Sequence, residues 1–151
     1  MSMCSRKSRF GMHRLLFSAV LILGSSTASL ADGTPQVDCD NAQTQMEMTY
    51  CAEQDWNVAD EALNRAYIAA MAIMKEADDR MHADGDMKAQ GTRYLREAQR
   101  AWIPFRDNAC AAEGYQAHGG SMEPMLIYAC RAELTRRRTK DLMNIVEGLG
   151  N

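Results

Sequence analysis

The chain has few of the residues that interrupt a helix. It contains only three prolines and ten glycines, and none of them falls between residues 44 and 77. A protein built of short strands and tight turns would not leave so long a stretch unbroken. No segment alternates apolar and polar residues as a half-buried strand does, and no internal repeat or low-complexity tract occurs. Apolar runs are short as well. None approaches the roughly 20 residues that a bilayer span needs. There is no Cys-x-x-Cys, and past the leader the only histidines are His82 and His118, so a zinc centre is not expected. A serine hydrolase needs Ser, His and an acid acting together. Here Ser121 and His118 are close, but they lie on a glycine turn. A thiol nucleophile such as Cys110 with His118 conflicts with an even cysteine set in an oxidising compartment. The methionines fit core filling at helical spacing better than soft-metal ligation, and no cofactor or metal is expected.

The first 31 residues form a leader. Arg6, Lys7, Arg9 and Arg14 are followed by the apolar run Leu15 to Leu23 and the small-x-small site Ser29-Leu30-Ala31. This order describes a signal peptide cleaved near Ala31, leaving residues 32–151 as one mature domain in the periplasm or outside the cell. Cleavage removes four basic residues and no acidic ones. Of seventeen Lys and Arg, thirteen remain against twenty Asp and Glu, so the mature net charge is −7. A nucleic-acid binder would carry a basic face instead. An acidic surface that includes Glu47, Glu53, Asp55, Asp78, Asp79, Asp84 and Asp86 suits a cationic protein partner, although such charges often only solvate a helix.

The helices follow from their start and stop signals. Thr44 and Glu47 make a capping box, and a long helix runs to about Ala77. Its apolar stripe is Trp56, Ala59, Leu63, Ala66, Tyr67, Ala70 and Met74. The charged segment from Asp78 to Met87 is expected to be the connection. A second helix spans about Lys88 to Gln116, with Leu95, Ala98, Trp102, Phe105 and Ala109 on its buried face. Pro104 should kink it without ending it, because the apolar period continues past it. His118-Gly119-Gly120-Ser121 is a tight loop, with Ser121 as the cap of a third helix and Pro124 in its first turn. Leu126, Ala129, Leu134, Leu142 and Ile145 supply that helix's apolar side. Together these elements predict an all-α, up-down-up three-helix bundle.

Cys4 leaves with the leader, and Cys39, Cys51, Cys110 and Cys130 remain as an even set in an exported chain. Cys110 and Cys130 flank the Gly-Gly loop at similar heights. On one continuous helix, Cys39 and Cys51 would stand about 18 Å apart, too far for a bond. A chain that folds back before a Thr44 cap brings them into reach. Of the three possible pairings, Cys39–Cys51 with Cys110–Cys130 is preferred.

Several fragments form an ordered set. They are Cys39 with Ala42-x-Thr44-Gln45-x-Glu47-Met48-x-x-Cys51, then Ala59-Asp60-x-x-Leu63-Asn64-x-x-Tyr67. After them come Ala98-Gln99-Arg100-Ala101-Trp102-x-x-Phe105-Arg106-Asp107-x-x-Cys110, Gly119-Gly120-Ser121, Cys130, and Leu134-Thr135-x-x-Arg138-x-x-x-Leu142. The set resembles the LprI-type lysozyme inhibitor family over about residues 39–142, and Pro104 departs from the family pattern. The resemblance implies an exported helical domain that binds and inhibits a lysozyme-like muramidase without catalysis. The alternative is a periplasmic helical module for another envelope protein or ligand. The polar residues of these motifs, Asp60, Asn64, Arg106 and Arg138, read either as a binding site or as an interior network tying the helices together. His118, Gly119, Gly120 and Ser121 are the candidate partner-binding residues. A rigid loop there can enter a glycosidase cleft, or it can be only a turn.

Overall fold

The computed structural model describes residues 37–148. The expected signal peptide, residues 1–31, lies outside them. Three long helices account for most of the described chain: α1 (Gln45–Ala83), α2 (Gly91–Gly114) and α3 (Glu123–Glu147). Short 3-10 turns precede α1 at Cys39–Asn41 and follow α2 at Tyr115–Ala117. No strand occurs among the described residues.

The capping box forms as its residues dictate. The Glu47 amide donates to Thr44 Oγ1 at 3.2 Å, and the Glu47 carboxylate accepts from the Thr44 amide at 2.8 Å. The chain turns back before this cap, so Cys39 and Cys51 stand 5.5 Å apart at Cα and are bonded. Cys110 and Cys130 are bonded across the α2–α3 hairpin, with Cα atoms 5.4 Å apart.

Helix α1 continues past its expected end near Ala77. Asp78 is not in a turn. It is buried on α1 and accepts from the Gly91 amide at 2.6 Å, the Thr92 amide at 3.0 Å and Thr92 Oγ1 at 2.8 Å. Those are orphan donors at the start of α2, so a side chain of one helix caps the next. The Thr92 amide bond is the main reason that the Asp78 carboxyl is held below its ordinary pKa.

Helix α2 runs unbroken through Pro104, which is exposed. Its buried face is turned from the expected one. Leu95, Gln99, Arg106, Cys110 and Gly114 are buried, with Trp102 partly so. Ala98 is exposed, and Phe105 is 60% exposed. The face shifts because two polar residues, Gln99 and Arg106, find partners inside.

Helix α3 starts one residue later than a Ser121 cap would place it. Its N-cap is Met122, whose side chain caps nothing, because a Gly120–Glu123 turn leads straight into the helix. Pro124 sits in its first turn, where its missing N–H costs little. Of the expected apolar residues Leu142 is fully buried and Ala129 is exposed.

The core is narrow. Leu63, Ala66, Ala70, Leu95 and Leu142 form its centre, flanked by Tyr67, Met71, Met74 and Trp102. Ala59, Ala66, Ala70 and Ala132 let α1 and α3 approach closely, and these two helices share the most extensive packing. A core of small residues buries little area per position. Two disulfides, each worth about 3 kcal/mol through restriction of the unfolded chain, offset that deficit.

Candidate functional site

The up-down-up order brings the start of α1, the end of α2 and the start of α3 to one end of the bundle. The loop His118–Ser121 caps that end, and all four of its residues are exposed. Its conformation is fixed from within. Gly119 adopts φ +76°, which favours glycine. The Gly120 amide donates to the Ala117 carbonyl at 2.8 Å. The Gly119 amide donates to Glu123 Oε2 at 2.8 Å, and His118 Nδ1 lies 3.2 Å from Glu123 Oε1. The Gly119 amide first, then the His118 contact, holds the Glu123 carboxyl below its ordinary pKa. With that carboxylate ionised, Nδ1 is the donor, and the imidazole is oriented. The His118 ring also stacks on Tyr115, with centroids 4.6 Å apart. Behind the loop, a Cβ on Gly114 would collide with Ile127 Cγ1, so glycine lets the two arms of the hairpin close.

Deeper in the bundle, Arg106 lies between two indoles. Its guanidinium carbon is 5.4 Å from the Trp56 ring centroid and 5.2 Å from that of Trp102. Its side chain is only 7% exposed, and it donates to Asp60 at 3.1 Å and Asp107 at 3.0 Å. Asp60 also accepts from Asn64 at 3.1 Å. Arg131 approaches Asp107 at 3.3 Å and covers the other part of Trp56, which stacks on Tyr128. The structure thus joins Asp60, Asn64 and Arg106. It does not bring Arg138 to them: Arg138 donates to Gln99 at 3.1 Å, a separate link between α3 and α2. The buried guanidinium has its counter-charges, as an interior charge requires.

Sequence reasoning missed Glu123, Asp107, Arg131 and Gln99. An acid three residues after Gly120, in the first turn of a helix, is a signal for Glu123. Leu95, Gln99, Trp102 and Arg106 also follow the helical period, so polarity alone hid Gln99.

The family model described as "Lysozyme inhibitor LprI" matches residues 38–142. The chain belongs to the LprI lysozyme inhibitor family. That span begins just before the first disulfide and ends at the last core leucine, so it takes in both disulfides and all of the helical unit but the last turn of α3. A Rhizobium meliloti (strain 1021) protein named "Uncharacterized protein R02472" is 41% identical over 133 residues, covering 88% of this chain and 96% of the relative. No solved structure matches. The family is one of inhibitors, and no helix among the described residues is long and apolar enough to cross a membrane.

Proposed function

We propose that the mature protein, released from its signal peptide into the periplasm or beyond, binds a lysozyme-like muramidase and inhibits it by occlusion. The observation that carries this reading is the family match over the entire disulfide-bonded unit. The His118–Ser121 loop is the inhibitory contact. Its backbone is already ordered by Glu123 and by the Cys110–Cys130 bond, so binding costs little conformational entropy.

The chemistry of the loop suits the cleft of a glycosidase, which holds two carboxyl groups, one of them the protonated general acid. His118 Nδ1 is committed to Glu123, which leaves Nε2 free to meet a partner. That atom accepts a hydrogen bond from the general acid, which keeps its proton and is held away from the glycosidic oxygen. No bond of the inhibitor changes, no catalysis occurs, and no cofactor takes part. The buried Arg106 cluster holds the helices in register behind the loop.

The test is substitution at the loop. Gly119→Val places a β-branched residue at φ +76°, and Gly120→Val brings a Cβ to 3.1 Å from the Ala117 carbonyl. Either variant, still helical and disulfide-bonded, is expected to lose inhibition at least tenfold in a cell-wall lysis assay. Undiminished inhibition by both would remove the loop from the contact.

A further inference from the structure

The charges of this molecule are segregated by end. Residues 37–64 and 107–130 carry ten Asp and Glu and no Lys or Arg. These two segments build the loop end of the bundle. All thirteen basic residues after the leader lie in 65–106 and 131–140, where Arg106, Arg131 and Arg136 close the boundary by pairing with Asp60, Asp107 and Asp55. Above that boundary the formal charges of Asp and Glu meet no Lys or Arg.

The same end exposes large apolar side chains. Met46 is 80% exposed, Tyr50 44% and Met122 45%. A groove of about 530 Å³ opens between the first turns of α1 and the start of α3. Met46, Tyr50 and Glu53 line one side, Ser121 and Pro124 the other. Glu53 has no hydrogen-bond or ion-pair partner among the described residues, unlike Glu47 and Glu123, whose carboxylates are engaged by the backbone. Both walls are anchored: Tyr50 precedes the bonded Cys51, and Gln45 Nε2 reaches Met125 Sδ on α3 at 3.4 Å.

We propose that this groove seats a lysine or arginine side chain of the cationic protein that the loop engages. The docking face then extends from the loop onto α1, and each disulfide pins one part of it. The aliphatic stem of the incoming residue lies along Met46 and Pro124, and its charged head meets the Tyr50 ring and the Glu53 carboxylate. An anionic or nucleic-acid partner would meet uniform repulsion here. The proposal rests on the inhibitor reading for the identity of the partner.

The experiment uses the ¹⁵N-labelled mature protein with both disulfides intact, titrated with cationic c-, g- and i-type lysozymes. Lytic activity is followed in parallel. Shifts are expected at residues 45–53 and 121–124. Glu53→Lys should weaken binding at least tenfold, Glu53→Gln less, and Asp86→Lys at the far end less than twofold. Inhibition with shifts confined to other residues, or a Glu53→Lys variant binding within twofold of wild type, overturns this surface and leaves the inhibitor reading standing. Binding through the groove without inhibition supports the surface and removes the inhibitor reading. No binding to any of the three enzymes overturns both.

Discussion

Arg106 is the residue on which the bundle's interior turns. Its guanidinium is stacked between Trp56 and Trp102 and paired with Asp60 and Asp107, so four side chains from α1 and α2 depend on it. Removing one member of a buried charged cluster costs more than the pair contributes, because the remaining charges lose their partner. Arg106→Ala is therefore expected to lower stability by about 3 kcal/mol in urea unfolding. Arg106→Met keeps the stem and the contact with the indoles and should cost clearly less. Equal losses in the two variants would show that charge, and not packing, sets the role of this side chain. Asp60 and Asn64 follow from the same logic, since Asn64 donates to the carboxylate that receives Arg106. Arg138 belongs to a different contact, with Gln99, and its loss should act independently.

At the scale of the helices, the connections are held by carboxylates taken from neighbouring elements. Asp78 on α1 caps α2, and Glu123 on α3 fastens the loop that precedes it. Both are held below their ordinary pKa values, 3.8 for Asp78 and 4.5 for Glu123. A depressed folded-state value means that the unfolded chain binds the proton more readily. The stabilisation is present above those ordinary values and is lost as pH falls through the lower folded ones. Thermal stability is expected to be flat near neutrality and to decline below about pH 4.5. Asp78→Asn should remove part of that decline and lower the midpoint at neutral pH by about 5 °C, the scale of a lost helix cap in a domain of this size. An unchanged acid limb in Asp78→Asn would place the titrating group elsewhere.

The helices were legible in the sequence where apolar period and capping chemistry coincide. Thr44 and Glu47 set the start of α1, and Ala59, Leu63, Ala66 and Ala70 set its buried face. The misreadings share one cause. Asp78 reads as turn chemistry and Gln99 carries no expectation of burial, because polarity does not reveal which partners the fold supplies; Arg106 reads as part of an interior network and is one. The helical period of α2 was right and its phase was wrong, so Phe105 was placed inside and lies largely exposed. The disulfide pairing was readable because a helix start at Thr44 leaves Cys39 free to fold back. The loop residues read as a turn, but their brace, Glu123, signals only as an acid in the first turn of the following helix, and nothing in the sequence ties it back to Gly119.

At the scale of the whole molecule, what matters is polarity. One end is acidic and pinned by two disulfides; every Lys and Arg beyond position 31 lies at its boundary or past it. Such a charge distribution speeds encounter with a cationic protein and orients it toward the loop end. Steering of this kind is screened over about 8 Å at physiological ionic strength. The association rate should fall about tenfold between 20 and 300 mM salt, with a much smaller change in the dissociation rate. A salt-independent association rate would remove steering from the account.

The claim beneath all of this is that a rigid helical surface blocks an enzyme and transforms nothing. Titration of a lysozyme with the purified, disulfide-intact mature protein tests it most directly, with lysis of cell walls as the readout. Activity is expected to fall linearly and reach its floor near one equivalent, with the inhibitor recovered unaltered. Full lytic activity against every lysozyme type in the presence of excess folded protein would contradict it.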